Sequence, residues 1–137
     1  VPSRVQGLCP DGWHVPSDKE WKKLEMHLGM SQYVADNIGW RGTNEGSKLA
    51  GNTSLWSSDE LTSKSKFGTS GFTALPGGFR GNDGDFRYIG DVGYWWSSTA
   101  HSSADAWNRE LRYNSGGMDR YNEDKSFGYS VRCVKDD

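Results

Sequence analysis

No apolar run in this 137-residue chain approaches the ~20 residues that a helix needs to span a bilayer. Nor is there a basic excess: the formal net charge is −2, whereas nucleic-acid binders carry a clear surplus of Lys and Arg. Nucleic acid is therefore not an expected partner. Cysteine is scarce, with two residues, Cys9 and Cys133, and no CxxC pair. The three His are scattered among polar segments. A zinc centre needs more ligands at closer spacing, so none is expected. Aliphatic content is also low; hydrophobic residues make up 34% of the chain. No nucleophile elbow and no other constellation of nucleophile, base and metal ligands is present, which argues against an enzyme.

What the chain has instead is aromatic residues and glycine: seven Trp, six Tyr, five Phe and 18 Gly. Glycine at that density suits a turn-rich fold. The densest aromatic stretch is Gly93-Tyr94-Trp95-Trp96-Ser97-Ser98-Thr99. Neighbours on a strand point to opposite faces, so one indole is expected in a core and the other under a second layer or a loop. Each such ring buries roughly 150–250 Å², so the pair can anchor a small core.

In chain order, Pro10-Asp11-Gly12 makes a turn, and His14 is expected to be packed and hydrogen-bonded rather than a metal ligand. Ser17 and Glu20 form a capping box. Trp21, Leu24 and Leu28 then follow at helical spacing, which predicts a helix over 18–28 that stops at Gly29. Glu20 and Glu25 diverge on that helix and read as capping and solvated residues, not as a catalytic pair. Ser31 caps a second helix, Gln32 to Ile38, ended by Trp40-Arg41-Gly42, and Glu45 to Ala50 adds a helical turn. Residues 52–70 read as a long loop pinned by single apolar residues. Short strands follow: 71–80, interrupted by Pro76-Gly77-Gly78; one begun by Phe86 and Tyr88; 93–99; 106–113; 118–122; and 128–134. Helices first and strands after predict an α+β domain with a small, mostly antiparallel, loop-rich sheet, a single unit over 1–137. From Ala106 to Tyr113 the alternation predicts Trp107, Arg109, Leu111 and Tyr113 inward and Asn108, Glu110 and Arg112 outward.

Cys9 and Cys133 lie near opposite ends. They are either two buried thiols or, as the natural pairing, a disulfide closing a loop worth about 4–5 kcal/mol in the chain-entropy model, which implies an oxidising compartment. The chain opens at Val1 without Met and is read as a mature or excised piece of a longer exported protein.

Four separated segments carry a further signal: Cys9 to Trp21 (CPDGWHVPSDKEW), Gly71 to Gly78 (GFTALPGG), Trp95 to Thr99 (WWSST) and Gly128 to Asp136 (GYSVRCVKD). In this order they resemble the Fibrobacter succinogenes major paralogous domain family over nearly the whole chain. The resemblance implies a C-type-lectin-like fold with both ends side by side and bridged by the Cys pair. It also implies an exported or surface-anchored bacterial protein, often a lipoprotein or part of a larger adhesin. Some relatives of this fold are diversified by retroelements at Asn, Ser, Tyr and Asp positions near the C-terminus. The matching stretch here is Trp107 to Asp124.

The expected function is a non-catalytic extracellular binding or display domain for a protein or glycan ligand. Membrane attachment would come only through a lipid anchor or parent chain. The candidate ligand surface is Asn108, Glu110, Arg112, Tyr113, Asn114, Ser115, Asp119, Arg120, Tyr121 and Asn122, a mixture in which Tyr gives low-entropy contact area and Asn and Ser give adaptable hydrogen bonds. One alternative is calcium-dependent carbohydrate binding, with hard oxygens from Asp83 and Asp85 beside Asn82 and Asp91. The Glu-Pro-Asn and Trp-Asn-Asp motifs of calcium-dependent lectins are absent, so a plain turn is the simpler reading of that cluster. Another alternative is an enzyme: Gly12 to Ser17 with Glu20-Trp21 is similar to the Gly-Trp-Arg-Leu-Pro-Thr run of formylglycine-generating enzymes, which bind copper through two nearby Cys. Here only Cys133 lies in the comparable region, and a thiol held in a disulfide is no ligand.

Overall fold

A computed structural model describes residues 7–137. Its first elements are β1 (Trp13–His14), α1 (Asp18–His27) and α2 (Gln32–Asp36). The capping box of α1 is present: Ser17 Oγ accepts the Glu20 N–H and the Glu20 carboxylate accepts the Ser17 N–H. Ser31 caps α2 in the same way, but α2 ends at Asp36. The segment expected to terminate that helix is a strand, β2 (Gly39–Arg41). Next come α3 (Glu45–Leu49) and α4 (Glu60–Ser63), the latter inside the stretch read as irregular loop. The remaining strands are β3 (Phe79–Arg80), β4 (Phe86–Arg87), β5 (Val92–Ala100), β6 (Asp105–Arg112), β7 (Met118–Asp124) and β8 (Val134–Lys135).

The principal sheet is antiparallel, in the order β2-β7-β6-β5. Two small pairs flank it: β3-β4 closes the Asn82-Asp83-Gly84 hairpin, and β1-β8 joins the two ends of the chain. The element content is α+β. The predicted strand at 128–134 is not one strand. It touches the sheet by single bridges, Gly128 to Arg80 and Ser130 to Trp95, before pairing with β1. Likewise only Phe79 and Arg80 of the 71–80 segment form a strand. Cys9 and Cys133 are disulfide-bonded, with Cα atoms 5.8 Å apart.

The two indoles divide as expected. Trp95 enters the core with Trp21, Leu49, Leu61, Leu111 and Met118, while Trp96 lies on the opposite face against Tyr129. Gly46 of α3 sits so close to the β6–β7 turn that a Cβ there would collide with the Gly117 carbonyl oxygen. That contact places α3 across the end of the sheet.

Beneath α1 lies a buried cluster of charge. Arg109 donates to both Glu25 oxygens (3.0 and 3.1 Å) and to Asp18 (2.8 Å). Arg120 grips Asp18 through Nε and Nη2 and donates Nη1 to the Asp36 carbonyl. Arg41 pairs with Glu25. Burial works to raise the Asp18 pKa, but the bonds and charges of Arg120 and Arg109 outweigh it and hold it at about 2. Glu25, read as a solvated helix residue, is fully buried; its place on the Trp21 side of α1 faces the sheet.

Two predictions follow from these contacts. Glu25→Gln leaves Arg41 and Arg109 without their shared counter-charge, and urea denaturation should show a loss of about 3–5 kcal/mol. At the chain ends, His14 lies between two carboxylates, donating to Asp136 at 2.5 Å and Glu20 at 2.8 Å when protonated. The Asp136 bond, then the Glu20 bond, raises its pKa above 6.5. The clamp therefore stabilises fully below 6.5 and is lost as pH rises through the higher folded value. His14→Gln should abolish that part of the pH dependence of the denaturation midpoint.

Candidate functional site

Strand alternation gives the principal sheet two chemically different faces. The inner face, toward α1, carries Trp95, Arg109, Leu111, Met118 and Arg120. On the outer face the cross-strand register brings Trp40, Asp119, Glu110 and Tyr94 into one row, and Tyr121, Asn108 and Trp96 into the next. Arg112 and Glu123 extend these rows along β6 and β7.

An aromatic layer covers the β5 side of this outer face. Tyr129 stacks on Tyr94 with ring centroids 4.6 Å apart and lies 4.5 Å from Trp96, while Phe79 meets Tyr94 edge-on. Toward β7 and β2 the cover ends: Trp40 and Tyr121 are roughly half exposed. The result is a polar patch walled by aromatic rings. Asn108, 2% exposed, and Glu110, 4% exposed, lie at its base.

The parity read from the sequence for β6 is correct, but the expected solvent exposure of Asn108 and Glu110 is not. The Tyr129 segment shields them. Other expectations need correction too. Arg120 is buried on the inner face, holding Asp18, with its guanidinium 3.9 Å over the Trp107 ring. Asn122 shares that inner parity, and Tyr113 packs against the core. Asn114 and Ser115 form the β6–β7 turn, where Ser115 Oγ accepts the Gly117 N–H. Of the ten proposed residues, Asn108, Glu110, Arg112, Asp119 and Tyr121 come together on the outer face. Trp40, Tyr94, Trp96, Glu123 and Tyr129 join them without having been anticipated. The signal for Trp40 was its two neighbours, Gly39 and Arg41: a bulky residue flanked by a stop glycine and a core arginine fits an edge strand as well as a helix end.

Electrostatics set these residues apart. Burial raises the Glu110 pKa, opposed by the Tyr94 hydroxyl bond and by Arg112, whose Nε and Nη2 lie 2.8 and 2.7 Å from one Glu110 oxygen. Burial also raises Asp119, opposed only at a distance by the charges of Arg41, Arg112 and Arg109 and by the Arg120 backbone N–H. Asp119 makes no ion pair among the described residues. The Tyr129 hydroxyl is pushed up first by burial and then by the fields of Glu123, Glu110 and Asp119, so all three carboxylates converge near it.

The calcium candidates are otherwise engaged. Asp83 pairs with Arg87 at 2.5 Å, Asp85 lies 3.9 Å from the same guanidinium, and Asp91 accepts from Ser57. Among the described residues no group of three or more His, Cys, Asp or Glu is placed to share a metal, and no helix is long and apolar enough to cross a membrane.

Asp119 weakens the fold in which it sits. A carboxyl with a raised folded pKa binds its proton more tightly in the native state, so stability increases as pH falls through that value. Its cost is complete above it, at neutral pH. Asp119→Asn should therefore raise the denaturation midpoint at pH 7, and the gain should vanish in acid.

The chain matches the family model for the Fibrobacter succinogenes major domain over residues 2–135. No curated protein and no solved structure matches it.

Proposed function

We propose that this chain, which belongs to the Fibrobacter succinogenes major domain family, is a non-catalytic extracellular ligand-binding or display module whose ligand sits on the outer face of β2, β7 and β6. The observation that carries the reading is the state of Asp119: a half-buried carboxylate, unpaired by any cation and flanked by half-exposed aromatic rings, held at a cost to stability. Sites built for binding are where such costs are tolerated.

The Cys9–Cys133 disulfide favours an oxidising compartment and hence export, to the bacterial cell surface or beyond. We read the finer fold as C-type-lectin-like because β1 pairs with β8 and the disulfide clasps the same ends. A formylglycine-generating-type oxidase is disfavoured because both thiols are consumed in that bond. Calcium-dependent sugar binding is disfavoured because Arg87 already serves Asp83 and Asp85. If the Trp107 to Asp124 stretch is diversified, alternation puts Asn108, Glu110, Arg112, Asp119, Tyr121 and Glu123 on one face, with the exposed Asn114 in the turn between the two strands.

Protein and glycan arrays test the reading. The wild-type domain should capture a ligand that the Trp40→Ala/Tyr121→Ala double variant loses by tenfold or more, which is about 1.4 kcal/mol. Both side chains are exposed enough for the variant to fold. Capture unchanged in the double variant would place the binding surface elsewhere.

A further inference from the structure

Outside the outer face, a cavity of about 370 Å³ opens between α1 and the β1–β8 pair, within the size range of small-molecule clefts. Buried Pro16 and Trp21 and half-buried Leu24 and Phe72 line it, and Trp13 stands exposed at its mouth. The interior is therefore apolar and walled by three aromatic rings. Its polar groups are few: Glu20, Arg132 and Lys135, all exposed, lie around the mouth.

These charges are unevenly matched. Glu20 is committed: its carboxylate accepts the Ser17 N–H and pairs with His14. Arg132 is pinned rather than paired. It donates Nη1 to the Phe72 carbonyl at 2.8 Å, and its guanidinium lies 4.3 Å over the Phe72 ring. Neither Arg132 nor Lys135 makes an ion pair among the described residues. A guanidinium fixed by a ring and a carbonyl is pre-organised, with its other N–H groups left for a ligand. Trp21 adds a separate observation: its indole N–H is buried with no hydrogen-bond partner. The other such side-chain atom among the described residues, Arg41 Nε, belongs to the cluster beneath α1. Buried donors are nearly always paired, so an unpaired one bordering a cavity marks a wall that can gain a partner.

We propose that this cavity binds a small aromatic carboxylic acid. The ligand ring packs among Trp13, Leu24 and Phe72, and its carboxylate faces Arg132 and Lys135. Ring walls favour a ring, because aromatic groups gain from offset or edge-on contact beyond the area they bury. The mouth selects the charge. With Glu20 already matched, two cations are left over, and they draw a carboxylate and repel an amine. The planar Arg132 fork suits a carboxylate in particular. At the small end of the usual range, the cavity holds one ring with its acid group rather than an extended polymer. The site shares no residue with the outer face and does not depend on it.

The probe is hydrocinnamate, titrated into the intact domain while backbone amide and Trp indole N–H resonances are followed. The Trp13 and Trp21 indoles and the amides of Arg132 to Lys135 should shift and saturate. Neutral hydrocinnamyl alcohol and ring-free propanoate should each bind about tenfold or more weakly. The Arg132→Gln/Lys135→Gln double variant should lose the acid by a similar factor. Both side chains are exposed, and an otherwise unchanged spectrum shows that the variant is folded. Trp40→Ala/Tyr121→Ala should leave acid binding intact, so this site and the outer face are tested separately. Alcohol binding as tightly as the acid, or acid binding indifferent to loss of both cations, would overturn the carboxylate assignment. Propanoate binding as tightly as hydrocinnamate would overturn the ring. A titration that leaves Trp13, Trp21 and Arg132 to Lys135 unmoved would overturn the site. An acetylated tripeptide ending in phenylalanine that binds more tightly than the free acid would overturn the small-molecule source in favour of a protein end.

Discussion

The buried ion cluster beneath α1 is the constraint on which the rest of the molecule depends. Asp18 and Glu25 from the helix meet Arg109, Arg120 and Arg41 from three adjacent strands. Burying charge is expensive unless every partner is placed. The sheet can accept α1 only in the register that puts Asp18 between Arg109 and Arg120 and Glu25 between Arg109 and Arg41. An apolar interface would tolerate sliding by a turn; this one does not. The cluster ties β2, β7 and β6 to one helix, and so fixes which residues of those strands point away from it.

That fixed geometry creates the outer patch. Arg109 and Arg120 are register partners, which places Glu110 opposite Asp119 on the other side of the sheet. The inner guanidiniums reach Asp119 only as a field through the sheet. It is enough to temper the cost of the carboxylate and not enough to neutralise it. The two faces therefore treat the same residue types differently: inside, carboxylates are matched by arginines at hydrogen-bond distance, while outside one is left over.

Much of this was legible in the sequence, and the failures have physical causes. The Ser17–Glu20 capping box, the Trp95/Trp96 division and the parity of β6 follow from local rules of helix ends and strand alternation, and each holds in the structure. Glu25 and Arg120 were misread because a charged residue is normally solvated, and nothing local announces that its counter-charge will arrive from 84 or 102 residues away. Strand β2 was missed because three residues carry no periodicity; only pairing with β7 makes them a strand. Tyr129 was assigned to a strand when its part is to cover one. That cover turned an exposed sheet face into a recess, and no alternation pattern contains it.

The contrast between the faces is also the strongest physical argument that the outer one binds something. Stability alone would favour an amide at position 119 or an arginine placed to reach it. The chain has the means to satisfy buried charge, as the inner cluster shows, and a hydrogen-bonded aromatic layer already closes half of the outer face. What stays open is the part bounded by Trp40, whose ring carries the Arg112 guanidinium, and Tyr121, and it holds Asp119, a carboxylate with no ion pair among the described residues.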